Sequence, residues 1–69
     1  MDERQSKVIE KMFEAGPEGF QGGMSAKKYM SITQVSKATA TRDLQFLHEN
    51  GLLIQSGAGR SVRYKLNLG

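Results

Sequence analysis

Arg42 and Gln45 stand three residues apart in the stretch from Ser36 to Asn50, a spacing that puts both side chains on one face of a helix. An arginine fork can pair with the edge of guanine and a glutamine amide with adenine, so this pair has the chemistry of base reading. Ala38, a turn earlier, is small enough to lie against a thymine methyl. Lys37, Thr39 and Thr41 near the helix start supply groups that bind phosphate. Ser36 suits an N-cap, and Gly51 suits the left-handed residue that stops a helix. At about 100° per residue, Ala40, Leu44 and Leu47 fall on one side, with Ala38, Arg42, Gln45 and Glu49 opposite.

Catalytic chemistry finds little to work with. The single histidine, His48, has no neighbouring Ser, Cys or acid in a triad pattern, and one histidine does not make a metal site. It reads as a surface or boundary residue. Asp43 and Glu49, six apart on the same helix, point to different sides and do not form a carboxylate pair. There is no cysteine, hence no thiol nucleophile, thiolate metal site or disulfide. The glycine-rich segment 17–23 lacks the Gly-Lys-Ser/Thr of a phosphate loop. Tyr29 and Tyr64 read as core residues with wet hydroxyls, and with no tryptophan there is little for single-strand stacking. The expectation is a chain with no catalytic residues, no metal and no cofactor.

The elements that must position the Ser36–Asn50 face follow from periodicity. Residues 2–15 read as a helix with Val8, Ile9, Met12 and Phe13 on one face, ended by Gly16-Pro17. No clean cap stands upstream of it, so the stump of a longer helix is an alternative. Phe20 and Met24 are expected in the core, and a short strand near 22–24 beside the C-terminal hairpin is expected with them. Ser25 caps a second helix, 25–32, with Ala26, Tyr29 and Met30 inward and Lys27 and Lys28 outward. The turn to the third helix, 36–50, lacks the usual glycine, which suggests a looser or differently shaped turn. Strands are expected at 52–56 and 62–67, the second from the alternation of Val62, Tyr64 and Leu66 with Arg63, Lys65 and Asn67. The loop 57–61 between them is glycine-bearing and carries Arg60.

The chain has 69 residues, the size of one small domain spanning 1–69, which buries only about 60% of the surface its unfolded chain exposes. Its net charge of +3 is unevenly spread. Residues 1–24 hold Arg4, Lys7 and Lys11 against five acids, whereas residues 25–69 hold seven basic groups against Asp43 and Glu49 alone. That asymmetry suits a polyanion on the C-terminal side, or plain surface solubility. No run is apolar enough to span a bilayer and no signal-peptide pattern opens the chain, so a cytoplasmic domain without membrane attachment is expected.

The order helix, short strand, helix, turn, helix, strand, loop, strand is that of an α+β winged helix-turn-helix, three helices plus a hairpin wing. In that architecture the third helix enters the major groove of duplex DNA and the wing lies along the backbone or minor groove. The candidate DNA-binding residues are therefore Lys37, Ala38, Thr39, Thr41, Arg42 and Gln45 on the helix, with Arg60 and Arg63 on the wing.

Residues 36–47, Ser-Lys-Ala-Thr-Ala-Thr-Arg-Asp-Leu-Gln-Phe-Leu, followed by Gly51-Leu52-Leu53 and by Gly59-Arg60-Ser61 and Tyr64-Lys65-Leu66, resemble the winged-helix domain at the C-terminus of many bacterial Fic-family proteins. The stretch from Gly22 to Tyr29 resembles the lead-in to that domain, so the likeness spans about residues 20–68. The core Ala40-Thr41-Arg42-Asp43-Leu44 is similar also to DeoR-like repressors. In Fic proteins a separate helical domain transfers AMP or a related group to a protein hydroxyl. Its His-Pro-Phe…Gly-Asn-Gly-Arg motif does not occur here, since His48 is followed by Glu49-Asn50-Gly51. What the resemblance implies is an appended module, with ATP, Mg²⁺ and the transfer belonging to a parent. Two functions stay open: duplex DNA binding in transcriptional regulation, or a protein-interaction or homodimerisation module acting on such a parent. Phe46, between the core and exposed faces of its helix, is the residue that the second would use.

Overall fold

The computed structural model of the chain describes residues 2–15, 23–57 and 62–67. Three helices, α1 (Glu3–Ala15), α2 (Ala26–Thr33) and α3 (Lys37–Glu49), precede strands β1 (Leu53–Ser56) and β2 (Arg63–Leu66). The strands form an antiparallel hairpin in which Leu53 faces Leu66 and Ser56 faces Arg63. This is the expected α+β arrangement of three helices and a wing. Phe20, and Ala58–Ser61 of the loop with Arg60, lie outside the described residues.

Each helix begins where a side chain takes up its free amides. Asp2 and Gln5 cap α1 reciprocally: the Gln5 N–H donates to Asp2 Oδ1 at 3.1 Å and the Asp2 N–H to Gln5 Oε1 at 3.2 Å. The expectation of an uncapped start is therefore corrected. Ser25 Oγ accepts from the Lys28 N–H at 3.2 Å, and Ser36 Oγ from the Thr39 N–H at 3.3 Å. At the far end of α3, Gly51 takes φ +78°. The Gly51 N–H then reaches His48 O at 3.0 Å and the Leu52 N–H reaches Leu47 O at 2.9 Å, a Schellman stop.

The turn between α2 and α3 is tight, not loose. Gln34 does the work of the missing glycine by adopting φ 61° and ψ 36°, with its N–H donating to Met30 O at 2.8 Å. Left-handed backbone costs a residue with a Cβ about 1–2 kcal/mol, more than the roughly 0.5–1 kcal/mol that extra unfolded freedom costs glycine. The Gln34 amide recovers part of this by donating to Ser31 O at 3.0 Å on the surface. Gln34→Gly is thus expected to raise stability by about 0.5 kcal/mol, or the melting temperature by about 2–4 °C. Thermal unfolding followed by circular dichroism measures it, and a lowered melting point would show that the turn needs the side chain.

Every element contributes to one core: Val8 and Met12 from α1, Met24 ahead of α2, Tyr29 from α2, Ala40, Leu44 and Leu47 from α3, Leu53 from β1 and Tyr64 from β2. The α3 stripe is the expected one. On α1 the stripe runs through Gln5, Val8 and Met12 instead, leaving Phe13 59% exposed, since Phe13 lies about 100° around the helix from Met12. The expected strand near 22–24 contracts, within the described residues, to a single bridge. There Met24 and Tyr64 exchange backbone hydrogen bonds of 2.7 and 2.8 Å. β2 is thereby held on both sides, by β1 and by Met24.

Candidate nucleic-acid interface

The outward face of α3 carries Ala38, Arg42, Gln45 and Glu49, all exposed. It adjoins a groove of about 550 Å³ bounded by the first turn of α2, the first half of α3 and the start of β2. Lys27, Lys37 and Arg63 stand around this groove with Thr41, and Leu44 and Tyr64 lie at its base. Among the described residues that line it there is no carboxylate. The Arg63 guanidinium is steadied by donating from Nη1 to Val62 O at 3.1 Å.

The helix starts add to this field. Asp2 and Glu3 face the positive end of α1, the ordinary way of matching a helix dipole. The first turns of α2 and α3 contain no acid and carry Lys27, Lys28 and Lys37 instead. A cation there opposes the dipole at a cost of about 0.3–1 kcal/mol. An anion placed before both helices would meet amide dipoles and ammonium groups together.

Three of the residues read from the sequence, Lys37, Thr41 and Arg63, therefore meet at the groove, while Ala38, Arg42 and Gln45 share the adjoining face. Thr39 sits apart on the other flank, its N–H and Oγ1 both engaged with the Ser36 hydroxyl. Arg60 lies outside the described residues. Lys27 was missed as a groove residue. Its signal was a first-turn lysine where stability alone favours an acid. Lys28, also expected outward, folds back to donate from Nζ to Gly23 O at 3.1 Å.

Behind this face lies a group that periodicity did not mark. Asp43 is 5% exposed and its carboxylate collects four hydrogen bonds. Arg4 donates from Nε at 2.9 Å and Nη2 at 3.4 Å, Gln5 from Nε2 at 3.1 Å and the Tyr29 hydroxyl at 2.6 Å. The expectation of a wet Tyr29 hydroxyl is thus corrected: the phenol is buried and its proton is committed to Asp43. Burial pushes the Asp43 carboxyl up, but the bonds from Arg4, Tyr29 and Gln5 outweigh it and hold the group below the usual carboxylate range. Burial, then the adjoining carboxylate, pushes the Tyr29 phenol well above its ordinary value. The Asp43 hydrogen bond, followed by its charge, raises Arg4 in the same sense.

His48 occupies a boundary position, its Nδ1 3.0 Å from Leu53 O and its ring edge-on to Tyr64 at 6.1 Å. Among the described residues no cluster of His, Cys, Asp or Glu is placed to hold a metal, and no helix is long and apolar enough to cross a membrane.

The arrangement has relatives. The chain is similar to the DIP2311 protein from Corynebacterium diphtheriae, with a TM-score of 0.66 and 26% identity over 90% of this chain. It spans 11% of the length of that protein chain. Comparison with curated proteins gave no significant match. Residues 21–67 match the family described as the C-terminal domain of DIP2311-like transcriptional regulators. That stretch takes in α2, the turn, α3 and the hairpin, and the chain belongs to this family of transcriptional-regulator C-terminal domains.

Proposed function

We propose that this domain binds duplex DNA as the appended module of a longer transcriptional regulator. The observation that carries the reading is the groove with no acid among its described lining residues, where Lys27, Lys37 and Arg63 meet the first turns of α2 and α3 beside an exposed, hydrogen-bonding helix face. The groove takes backbone phosphates through these cations and the Thr41 hydroxyl. Arg42 and Gln45 read base edges in the major groove, with Ala38 against them. Arg63 and Arg60 extend the backbone contact along the wing, and Thr39 flanks the helix start.

Titration of a labelled duplex at several salt concentrations tests this. Log affinity falls with log salt by about 0.9 for each phosphate neutralised. Lys27→Ala and Lys37→Ala should each flatten that slope by about one phosphate and weaken all sequences alike. Arg42→Ala should cost about 1–3 kcal/mol on the preferred site and relax discrimination at particular base pairs. If no duplex binds at low salt, or if these variants bind like the parent, the reading falls.

Phe46, 41% exposed, supports the second reading, a protein-interaction or dimerisation surface. That reading predicts a dimer or partner complex in sedimentation that Phe46→Ala abolishes; a monomer at all accessible concentrations, with no partner recovered, counts against it. The attachment to a Fic-type transferase rests on the sequence resemblance alone, and the family match lends it no support.

A further inference from the structure

We infer that Arg4, on the first turn of α1, is a positioning residue for the reading helix: through Asp43 it sets the rotation of α3 and so the aim of Arg42 and Gln45. The inference rests on the DNA reading for its consequence but not for its geometry. α1 packs mainly on α2 and β2. The polar tie between the first and third helices is the Asp43 carboxylate, with Arg4 and Gln5 of α1 on one side and Tyr29 of α2 on the other. Each oxygen takes two donors: Oδ1 from Gln5 and Arg4 Nη2, Oδ2 from Arg4 Nε and Tyr29. Arg4 is itself held from behind by Asp2, 3.0 Å from Nη2.

Such a tie is directional where the apolar part of the α3 interface is not. The contacts of Ala40, Leu44 and Leu47 follow area and set the rotation of the helix less sharply. A carboxylate engaged from two helices sets it closely. Rolling a helix about 5–6 Å in radius by about 20° moves its outer side chains by roughly 2 Å. That exceeds the latitude of a base hydrogen bond. Arg42 neighbours Asp43 in sequence, so the clamp acts one residue from the reading group.

The test compares this chain with Arg4→Ala, Arg4→Lys, Asp43→Asn and the Arg4→Ala/Asp43→Asn pair. The probes are a duplex enriched by the parent chain from a random pool and a scrambled duplex. Arg4→Ala should stay folded, because the apolar core is untouched and Arg4 is on the surface side of the cluster, but each carboxylate oxygen keeps only one donor and its orientation loosens. It should lose about tenfold in affinity for the enriched duplex and much less for the scrambled one, with the salt slope unchanged. Lysine should rescue only part, since it lacks the fork that reaches both oxygens. In the Asp43→Asn background, removing Arg4 should add nothing.

A salt slope lower by about 0.9 would mean that Arg4 touches phosphate directly, and would overturn the inference. So would unchanged affinity and discrimination. Should the parent bind no duplex at all, the DNA reading fails and the inference is read from the free chain. Amide shifts of residues 41–46 that move in Arg4→Ala while the fold is kept uphold the clamp, and unmoved shifts reject it.

Discussion

Asp43→Ala lowers the free energy of unfolding by about 2–6 kcal/mol, as read from urea denaturation near neutral pH. The carboxylate satisfies the buried Tyr29 hydroxyl and the buried Gln5 amide, and its loss leaves two donors without partners at about 1–3 kcal/mol each. Arg4 turns out to water, so its charge adds little to the cost. Small domains hold only about 5–15 kcal/mol in all, and the variant is expected to be partly unfolded at 37 °C. The effect has a pH window. The folded-state pKa of Asp43 is depressed, so its contribution is present above the ordinary carboxylate value near 4 and disappears as pH falls below it. That of Tyr29 is raised, so its contribution is complete below about pH 10 and is lost on further titration with base. The stability gap between parent and variant should be level from about pH 5 to 9 and narrow at both ends. A shift under about 0.5 kcal/mol at pH 7 would mean that water replaces the carboxylate without loss.

Gly23→Ala should destabilise the domain by about 2–4 kcal/mol. Gly23 sits at φ +83°, and a Cβ there would stand 2.9 Å from Tyr64 O and 3.4 Å from Arg63 Cβ. Left-handed backbone alone costs about 1–2 kcal/mol. The carbonyl cannot retreat cheaply, because it accepts the Met24 N–H at 2.7 Å in the bridge that holds β2. Gly51→Ala is the control: φ is +78°, but no atom lies within 4 Å of its Cβ position, so only the backbone term of about 1–2 kcal/mol applies. Urea unfolding of both, with hydrogen exchange at the Met24 amide, separates clash from conformation. Equal losses in the two variants would refute the close approach. Because Tyr64 and Arg63 border the groove, Gly23→Ala should weaken duplex binding as well.

The frame of the molecule was legible because its signals are local. Ser25, Ser36 and Gly51 mark helix ends through groups within three residues, and the Ala40–Leu44–Leu47 stripe and the alternation around Tyr64 are periodicities of single elements. Asp43 was not legible as a core residue. Its partners stand 14, 38 and 39 residues away, and a carboxylate beside an arginine in a helix reads as surface until those distances close. The same holds for Lys27, which joins Lys37 and Arg63 only once the helices cross. Phe13 was misplaced for the opposite reason, because buried Gln5 rotates the α1 stripe away from it.

The Asp43 clamp faces inward, and the face beyond it is left with no structural duty. Ala38, Arg42 and Gln45 are exposed, and no side-chain hydrogen bond or ion pair ties Arg42 or Gln45 to the described residues. Exchanges at such positions usually change stability by less than about 0.5 kcal/mol. On the DNA-binding reading proposed above, lineages carrying this domain can therefore rewrite those three letters, and acquire a new target, without passing through a misfolded ancestor. The fold and its vocabulary can evolve on separate clocks.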